Sequence, residues 1–502
     1  MNEINVNKIL LGIDVGTSSI KVSVVDTETQ RSIASATFPT DTEREIKSPK
    51  PDWAEQSPEQ WWSDVKAAIL ETQTQNKYNP KNIVAIGITY QMHGLVIVDK
   101  NKNVLRDAII WCDSRTEKQA QQGLQAIGEE KSLSHLLNFP GNFTASKLAW
   151  VKENEPDIYA KIDKFMLPGD FIAMKLTDQI TSSISSLSEG VFWDFKNKKI
   201  SEDIMNAYGF NTSVFPETKA LFGVHGNVTK AAAKELNIPE GIPVTYKAGD
   251  QPNNALSLNV FEPGEIATTA GTSGVIYAVT DDLIYDKLSR INTFAHVNHT
   301  NEKNRLGVLL CINGTGISNR WIKNLMDENL SYQQIDKLAA SVGIGSEGLL
   351  FLPFGNGAER ILCNKQVGAG FSNINLNLHS KAHFFRAVQE GISFSFRYGL
   401  DIMRENGMQT KVVKAGKANM FLSKVFTNAF VNTTGLSVEL YKTDGSVGAA
   451  LGAGVGLGIF EKPQDAFSKL ELLETIHPDK EAVKIYEVVY QKWKNCLNVD
   501  LG

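Results

Sequence analysis

Only four cysteines occur in 502 residues, Cys112, Cys311, Cys363 and Cys496, and no two stand in CxxC spacing. That scarcity excludes a disulfide framework and a structural zinc site, and it points to a reducing cytosol. Charge of one sign is also lacking: 51 Lys and Arg face 56 Asp and Glu, a net −5. So mild an acidity gives no footing for nucleic acid or an anionic membrane as partner. The uncharged stretches 82–98 and 445–460 are broken by polar residues or built of glycine and alanine. Neither reaches the ~20 apolar residues of a membrane-spanning helix. Residues 1–8 are polar and lead into a strand-like run, so no signal-peptide pattern is present, and sequons such as Asn142-Phe143-Thr144 read as chance matches. Neither GxxxxGK[ST] nor a GxGxxG between a strand and a helix occurs. The GxGxxG at Gly343–Gly348 follows a helix-like segment and precedes a strand, so it reads as a loop.

What is there is an ordinary globular mix, 42% hydrophobic and 21% charged, in a chain long enough for two to four domains. A buried-strand run, 9–14, meets the turn Val15-Gly16-Thr17-Ser18-Ser19 and then an alternating strand, 20–26, which predicts a hairpin. The pattern returns at 265–270, Gly271-Thr272-Ser273-Gly274 and 275–279, implying two domains of related design with a junction near 247–253. Ser57-Pro58-Glu59-Gln60 reads as a capping box with proline at N1, opening a helix through about Gln73 that carries Trp61 and Trp62 as core. Helices over about 382–405 and 421–431 flank a strand at 412–415, and 445–454 reads as a glycine-rich helix that another surface can approach closely. Alternating strands and helices mean α/β.

Both Gly-Thr-Ser turns offer N–H groups and hydroxyls to an anion, and the phosphates of a nucleotide are the natural guest. Asp14 stands beside the first turn, either to hold Mg²⁺ against those phosphates or to cap the turn through its own side chain. Asp250 ends the strand-like run 244–247 and precedes a helix, as an N-cap or as a general base for a hydroxyl. Gln91-Met92-His93-Gly94 and Trp111-Cys112-Asp113-Ser114-Arg115 each follow a strand, where ligands collect in α/β sheets; Asp113 with Arg115 is equally readable as an ion pair.

Taken together and in order, these motifs resemble the FGGY carbohydrate kinases from about Leu10 to about Phe460. The family's first phosphate motif is similar to 12–18, its substrate segment to Asp52-Trp53-Ala54-Glu55-Gln56, its catalytic segment to Gly249-Asp250-Gln251, its second phosphate motif to 270–274, and its glycine-rich segment beside the adenosine to 445–454. The resemblance implies two actin-like, ribonuclease H-like α/β domains, 1–247 and 248–502, with a cleft between them. It implies a cytoplasmic enzyme using ATP and Mg²⁺, with Asp250 as base and Asp14 serving the metal. Gly16, Thr17, Ser18, Gly271, Thr272, Ser273, Gly416 and Asn419 would hold the nucleotide. Met92, His93, Asp250, Gln251 and Asp113 would hold the acceptor, a small-molecule sugar. The turn at 91–94, with Trp53, Trp61, Trp62 and Trp111, is similar to the branch that phosphorylates D-xylulose to D-xylulose 5-phosphate; glycerol, L-ribulose or another ketose is the alternative acceptor. A nucleotide-switch ATPase is the alternative of another class. The sequence departs from the family where Gly357-Ala358-Glu359-Arg360 runs into Ile361 rather than Thr-Pro, and where Ala415-Gly416-Lys417-Ala418-Asn419 replaces a triple glycine. Nothing in the sequence sets the oligomeric state beyond the general prevalence of homodimers.

Overall fold

The computed structural model describes residues 8–501. Six strands build the first sheet: β1 (Ile9–Val15), β2 (Ile20–Asp26), β3 (Ser32–Phe38), β4 (Ile83–Tyr90), β5 (Phe222–Asn227) and β6 (Pro243–Gly249), in the order β5-β6-β4-β1-β2-β3. Seven build the second: β7 (Glu265–Ala270), β8 (Gly274–Thr280), β9 (Asn292–Ala295), β10 (Leu306–Ile312), β11 (Val412–Gly416), β12 (Val438–Tyr441) and β13 (Leu472–Ile476), in the order β9-β10-β8-β7-β11-β12-β13. Each sheet starts from an antiparallel hairpin, β1/β2 or β7/β8, extends it by a third antiparallel strand, and adds two parallel strands on the hairpin's other side. That repeated order is the two-domain, actin-like α/β arrangement the family resemblance implies, and both expected hairpins are present.

Helix α1 (Pro58–Thr74) starts where the sequence predicts it, with the Ser57 side chain accepting from the Gln60 backbone N–H. Only half of the expected capping box forms, because the Gln60 side chain donates to Asp64 instead, at 2.8 Å. Trp61 and Trp62 are buried. Gly343–Gly348 is a loop and short turn, with Gly345 and Gly348 at φ of 83° and 95°.

The helix that leaves β6, α2 (Asp250–Ser257), lies between the sheets, against β6 and β4 of the first and β7 and β8 of the second. Farther along, α3 (Lys381–Glu405) and α4 (Lys424–Thr434) cover the second sheet, the latter beginning three residues later than predicted because 419–422 form a separate short turn. The helix that follows β12, α5 (Gly445–Gly456), returns to lie across β1, β4, β6 and β2 of the first sheet. The helix α5 has thus crossed to the sheet of the other domain, and it packs against α2, which lies between the two sheets. Glycine makes the approach possible: a Cβ on Gly12 would collide with the Ser446 carbonyl, one on Gly87 with the Ala449 carbonyl, and one on Gly448 with Ser257 Oγ. The propensity cost of glycine in α5 is offset by this backbone-close packing.

Overpacking of this kind costs ~1–3 kcal/mol. Gly12→Ala is therefore expected to lower the melting temperature clearly, because the atom it meets is backbone and cannot rotate away. Gly343→Ala, where nothing lies within 4 Å, should leave it unchanged; calorimetry on the two variants checks this.

Candidate active site

Asp14 is the penultimate residue of β1, and its carboxylate faces the start of α5, 2.6 Å from where a Cβ on Gly445 would stand. Among the described residues none donates a hydrogen bond to it, so it does not cap the turn. Burial, then the negative charges of Asp250 and Asp444, push its carboxyl up to about 7, while Lys21 pulls it down. Lys21, Asp14's neighbour across the hairpin, is itself ion-paired with Asp444. Asp444 caps α5, accepting from the Ser446 N–H at 2.9 Å and its hydroxyl at 2.6 Å.

Asp250 is the first residue of α2, and Gly249 occupies the N-cap position. The N-cap reading of Asp250 therefore does not hold. Burial pushes its carboxyl up to about 6, with the N–H of Gln251 pulling it back. Asn253, one turn on, donates to the Gly445 carbonyl at 2.9 Å and so ties α2 to the start of α5. Beside Asp250, Gln251 Oε1 is buried without a partner.

The turn after β4 stands across from this helix. Gln91 accepts from Thr17 Oγ1 (3.1 Å) and donates to Gln56 Oε1 (3.0 Å), while Trp111 Nε1 donates to Thr17 Oγ1 (2.9 Å). These bonds join the first Gly-Thr-Ser turn to the turn at 91–94. The same turn is held from behind by Arg44, which donates to the carbonyls of Gly16 (2.9 Å) and Ser18 (2.7 Å) and pairs with Asp64 (2.6 Å). Ser18 is exposed. Met92 is buried against Gly249, where a Cβ would lie 2.6 Å from Met92 Cγ and 2.6 Å from Glu189 Oε2.

His93 takes a left-handed φ of 62°, unusual for a residue with a Cβ. Lys147 holds the strained turn by donating to the His93 carbonyl at 2.8 Å and to that of Asn142 at 3.2 Å. The ring Nδ1 lies 2.9 Å from the Glu189 carbonyl, which can only accept, so Nδ1 carries the proton and Nε2 is left as an acceptor. Burial, reinforced by Lys147, lowers the imidazole to about 3, so it is neutral. Its ring sits between Phe143, 4.9 Å away, and Phe294 of β9, 5.4 Å away, one from each half of the molecule.

On the second sheet, Gly271 and Thr272 accept at their carbonyls from the N–H groups of Gly316 (2.8 Å) and Ile317 (3.2 Å), leaving Thr272 exposed and Ser273 partly so. The Asn419 side chain lies beside this turn, 3.6 Å from where a Cβ on Gly271 would stand. Gly416 ends β11 close to Thr443, and its carbonyl accepts from Ala418 N–H at 2.8 Å. The second turn and the Asn419 side chain are therefore neighbours.

Asp113 is a correction. It is 0% exposed, and its carboxylate is spent on Ala54 N–H (2.6 Å) and on a two-pronged pair with Arg115 (2.6 and 2.9 Å). Arg115 in turn lies 3.7 Å from the Trp53 ring and pairs with Glu55 at 2.7 Å. A carboxylate so satisfied buttresses the wall and has nothing left to offer a sugar; the ion-pair alternative is the one realised.

Sequence reasoning missed Lys21, Lys147 and Glu189. Both carboxyl oxygens of Glu189 are buried without a hydrogen-bond partner, and burial, then Asp250 and Asp170, hold its carboxyl well above the usual range. No motif marks these residues, because their partners come from distant elements.

Asp14 thus lies within electrostatic reach of two further carboxylates, Asp250 and Asp444, and of one paired lysine. That surplus of negative charge suits a hydrated divalent cation, although the three do not converge as a dry coordination cage would. Among the described residues, the one group close enough for joint ligation is His135, Asp194 and Asp203, already bonded within itself and to Lys131 and Asn197.

Residues 9–257 match the N-terminal domain of the FGGY family of carbohydrate kinases, and residues 266–457 match its C-terminal domain. This chain belongs to that family. It is similar to the xylulose kinase of Staphylococcus epidermidis, 30% identical over 496 residues that cover 97% of this chain and 96% of that protein. With the xylulose kinase of Bacillus subtilis it shares 27% over 497 residues, again 97% and 96% of the two chains. The crystal structure of xylulose kinase from Rhodospirillum rubrum superposes with a TM-score of 0.87 at 24% identity, covering 98% and 99% of the two chains. As an FGGY member the protein is a carbohydrate kinase, and kinase chemistry implies ATP as phosphoryl donor. No helix among the described residues is long and apolar enough to cross a membrane.

Because the folded Asp14 binds its proton up to about pH 7 while the unfolded one releases it near 3.8, its contribution to stability is lost as pH rises between those values. Asp14→Asn is expected to raise the melting temperature of the metal- and nucleotide-free protein, by more at pH 8 than at pH 5. Equal shifts at the two pH values would contradict the burial of an uncompensated carboxylate.

Proposed function

We propose that the protein transfers the γ-phosphoryl group of ATP to the terminal hydroxyl of a ketopentose, D-xylulose to D-xylulose 5-phosphate, with Asp250 as general base. The observation that carries this reading is the position of Asp250. It heads the helix that lies between the two sheets, half-buried, with a carboxyl raised to about 6 yet ionised at neutral pH. A base tuned close to the working pH has both the correct charge and driving force for proton transfer. The full-length similarity to proteins named xylulose kinase supports the choice of acceptor.

In this reading His93 Nε2 accepts a hydroxyl proton of the sugar, and the buried, unpaired Oε1 of Gln251 accepts another. Met92 supplies the apolar wall and its main chain. The N–H groups and hydroxyls of Gly16, Thr17 and Ser18 and of Gly271, Thr272 and Ser273 surround the phosphates, and Asn419 and Gly416 border the adenine side. Asp14 and its neighbours would hold Mg²⁺ through water; bound there, the ion supplies charge neutralisation for the phosphates. Asp250 takes the proton of the attacking oxygen, which enters in line with the leaving ADP oxygen. Neutral Glu189 and neutral His93 keep the pocket wall uncharged, so the field on the attacking oxygen comes from Asp250.

ADP release should be stimulated by D-xylulose with MgATP and little by L-xylulose, D-ribulose, L-ribulose or glycerol. Acceptor-independent release would instead favour the nucleotide-switch reading. Asp250→Asn should lower kcat by ~10²–10⁴, the usual worth of a general base. The wild-type kcat/KM should fall as pH drops below about 6, where Asp250 takes up its proton. An Asp250→Asn variant with near-normal turnover would remove Asp250 from the base role.

A further inference from the structure

Strands β1 and β4 run parallel with Val15 level with Tyr90, so the turns that leave them start side by side. One is the first Gly-Thr-Ser turn and the other the turn at 91–94, and the Gln91 N–H donates to the Val15 carbonyl at 2.9 Å where they part. Past that point the two turns are tied through the side chains of Gln56, Gln91 and Thr17. Both glutamines are buried, Gln56 at 1% and Gln91 at 2% exposure, so water cannot stand in for either partner.

Two indoles, which can only donate, dictate the direction of every bond in this tie. Trp61 Nε1 meets Gln56 at 3.0 Å, so it faces the amide oxygen, and Gln56 Nε2 is turned to the Thr17 carbonyl at 2.9 Å. The same Gln56 oxygen lies 3.0 Å from the Gln91 amide. Gln91 therefore presents its nitrogen there and its oxygen to Thr17 Oγ1, at 3.1 Å. An amide oxygen only accepts, so Thr17 gives it the one proton of its hydroxyl. On the other side Thr17 Oγ1 accepts from Trp111 Nε1 at 2.9 Å. That hydroxyl has no proton left for a phosphate. What remains for one is the Thr17 N–H, which makes no hydrogen bond among the described residues.

The tie also closes on itself. The Trp111 carbonyl accepts from Asn142 Nδ2 at 2.9 Å, the Asn142 carbonyl accepts from Lys147 Nζ at 3.2 Å, and Lys147 donates to the His93 carbonyl at 2.8 Å. From Thr17 the bonds thus run one way to Gln91 and the other way to His93, two residues on. His93 has the left-handed φ of 62°, a conformation that costs strain and persists where its surroundings over-determine it.

We propose that Thr17 is a positioning residue of the acceptor turn: through Gln91 its hydroxyl fixes Met92 and His93 relative to the phosphate turn, and it is not a donor to phosphate. This rests on the reading of 15–19 as phosphate turn and 91–94 as acceptor turn, and narrows it, since Thr17 then meets the phosphates through its N–H alone. In-line transfer needs the two reactants at a set separation, and a misplacement of ~1 Å can cost ~10²-fold in rate. A bond that sets the spacing of the two turns therefore acts on turnover although the hydroxyl touches neither ligand.

The test compares Thr17→Val, which keeps the shape and removes the hydroxyl, with Thr17→Ser, which restores it, and with Gln91→Met alone and combined with Thr17→Val. Trp111 is half-exposed, so water takes the place of the lost hydroxyl at its indole N–H. Turnover of D-xylulose, the Kd of MgATP without acceptor by titration calorimetry, and melting temperature are measured. Thr17→Val is expected to lower kcat/KM for D-xylulose at least fivefold while the Kd of MgATP stays within threefold of wild type, and Thr17→Ser to recover most of the loss. Gln91→Met should lose a similar factor, and the double variant should stay within threefold of the poorer single one, as befits two ends of one bond. A Kd of MgATP raised more than threefold by Thr17→Val would make the hydroxyl a phosphate donor and overturn the proposal. So would a loss of less than fivefold, losses that multiply in the double variant, or a Thr17→Ser enzyme no better than Thr17→Val. Should Gln91→Met fail to fold, the Thr17 pair decides by itself. If the wild-type enzyme leaves D-xylulose untouched, that choice of acceptor fails separately, and the comparison is made on the sugar or polyol that does stimulate ADP release. A wild-type enzyme with acceptor-independent release alone would overturn the role of Thr17 as well.

Discussion

The site depends on one close crossing. Helix α5 leaves the sheet that precedes it and packs on the other, while α2 lies between the two, and they meet where Gly448 faces Ser257 without room for a Cβ. Asp250 is the first residue of one helix and Asp444 the N-cap of the other, and the Asn253 to Gly445 hydrogen bond joins them. The distance between the acidic groups is thus set by backbone packing, not by flexible side chains. Interiors packed to crystal density transmit such constraints with little give.

Around that crossing the molecule separates its charges deliberately. His93 and Glu189 are held neutral by burial, and Lys147, brought down to about 7, is spent on two carbonyls. Asp113 and Arg115 cancel one another inside the wall. What remains without a salt-bridge partner there is negative, at Asp14 and Asp250. That surplus is what a divalent cation would neutralise before phosphoryl transfer.

Much of this was legible in the sequence where the signal is local. Strand alternation and glycine turns gave both hairpins, Ser57-Pro58 gave the start of α1, and the small residues of 445–454 foretold a closely approached helix. The site was legible as two turns and two aspartates. What periodicity cannot carry is partnership. Asp113 looked like a pocket residue because it follows a strand, yet Arg115, two positions on, consumes it. Glu189 and Lys147 lie in helical stretches with no motif, and they matter because β4 brings His93 between them.

The return of α5 to the first sheet also bears on how the chain is made. The strands of the first sheet are all synthesised once Gly249 has emerged, but the face covered by α5 stays bare until the whole second sheet through β12 has followed. Leu10, Ala85 and Tyr246, which end beneath that helix, would spend the interval unprotected on the ribosome. A nascent half-molecule of this kind presents an apolar surface to anything nearby, which makes its early life a problem of shielding more than of folding speed.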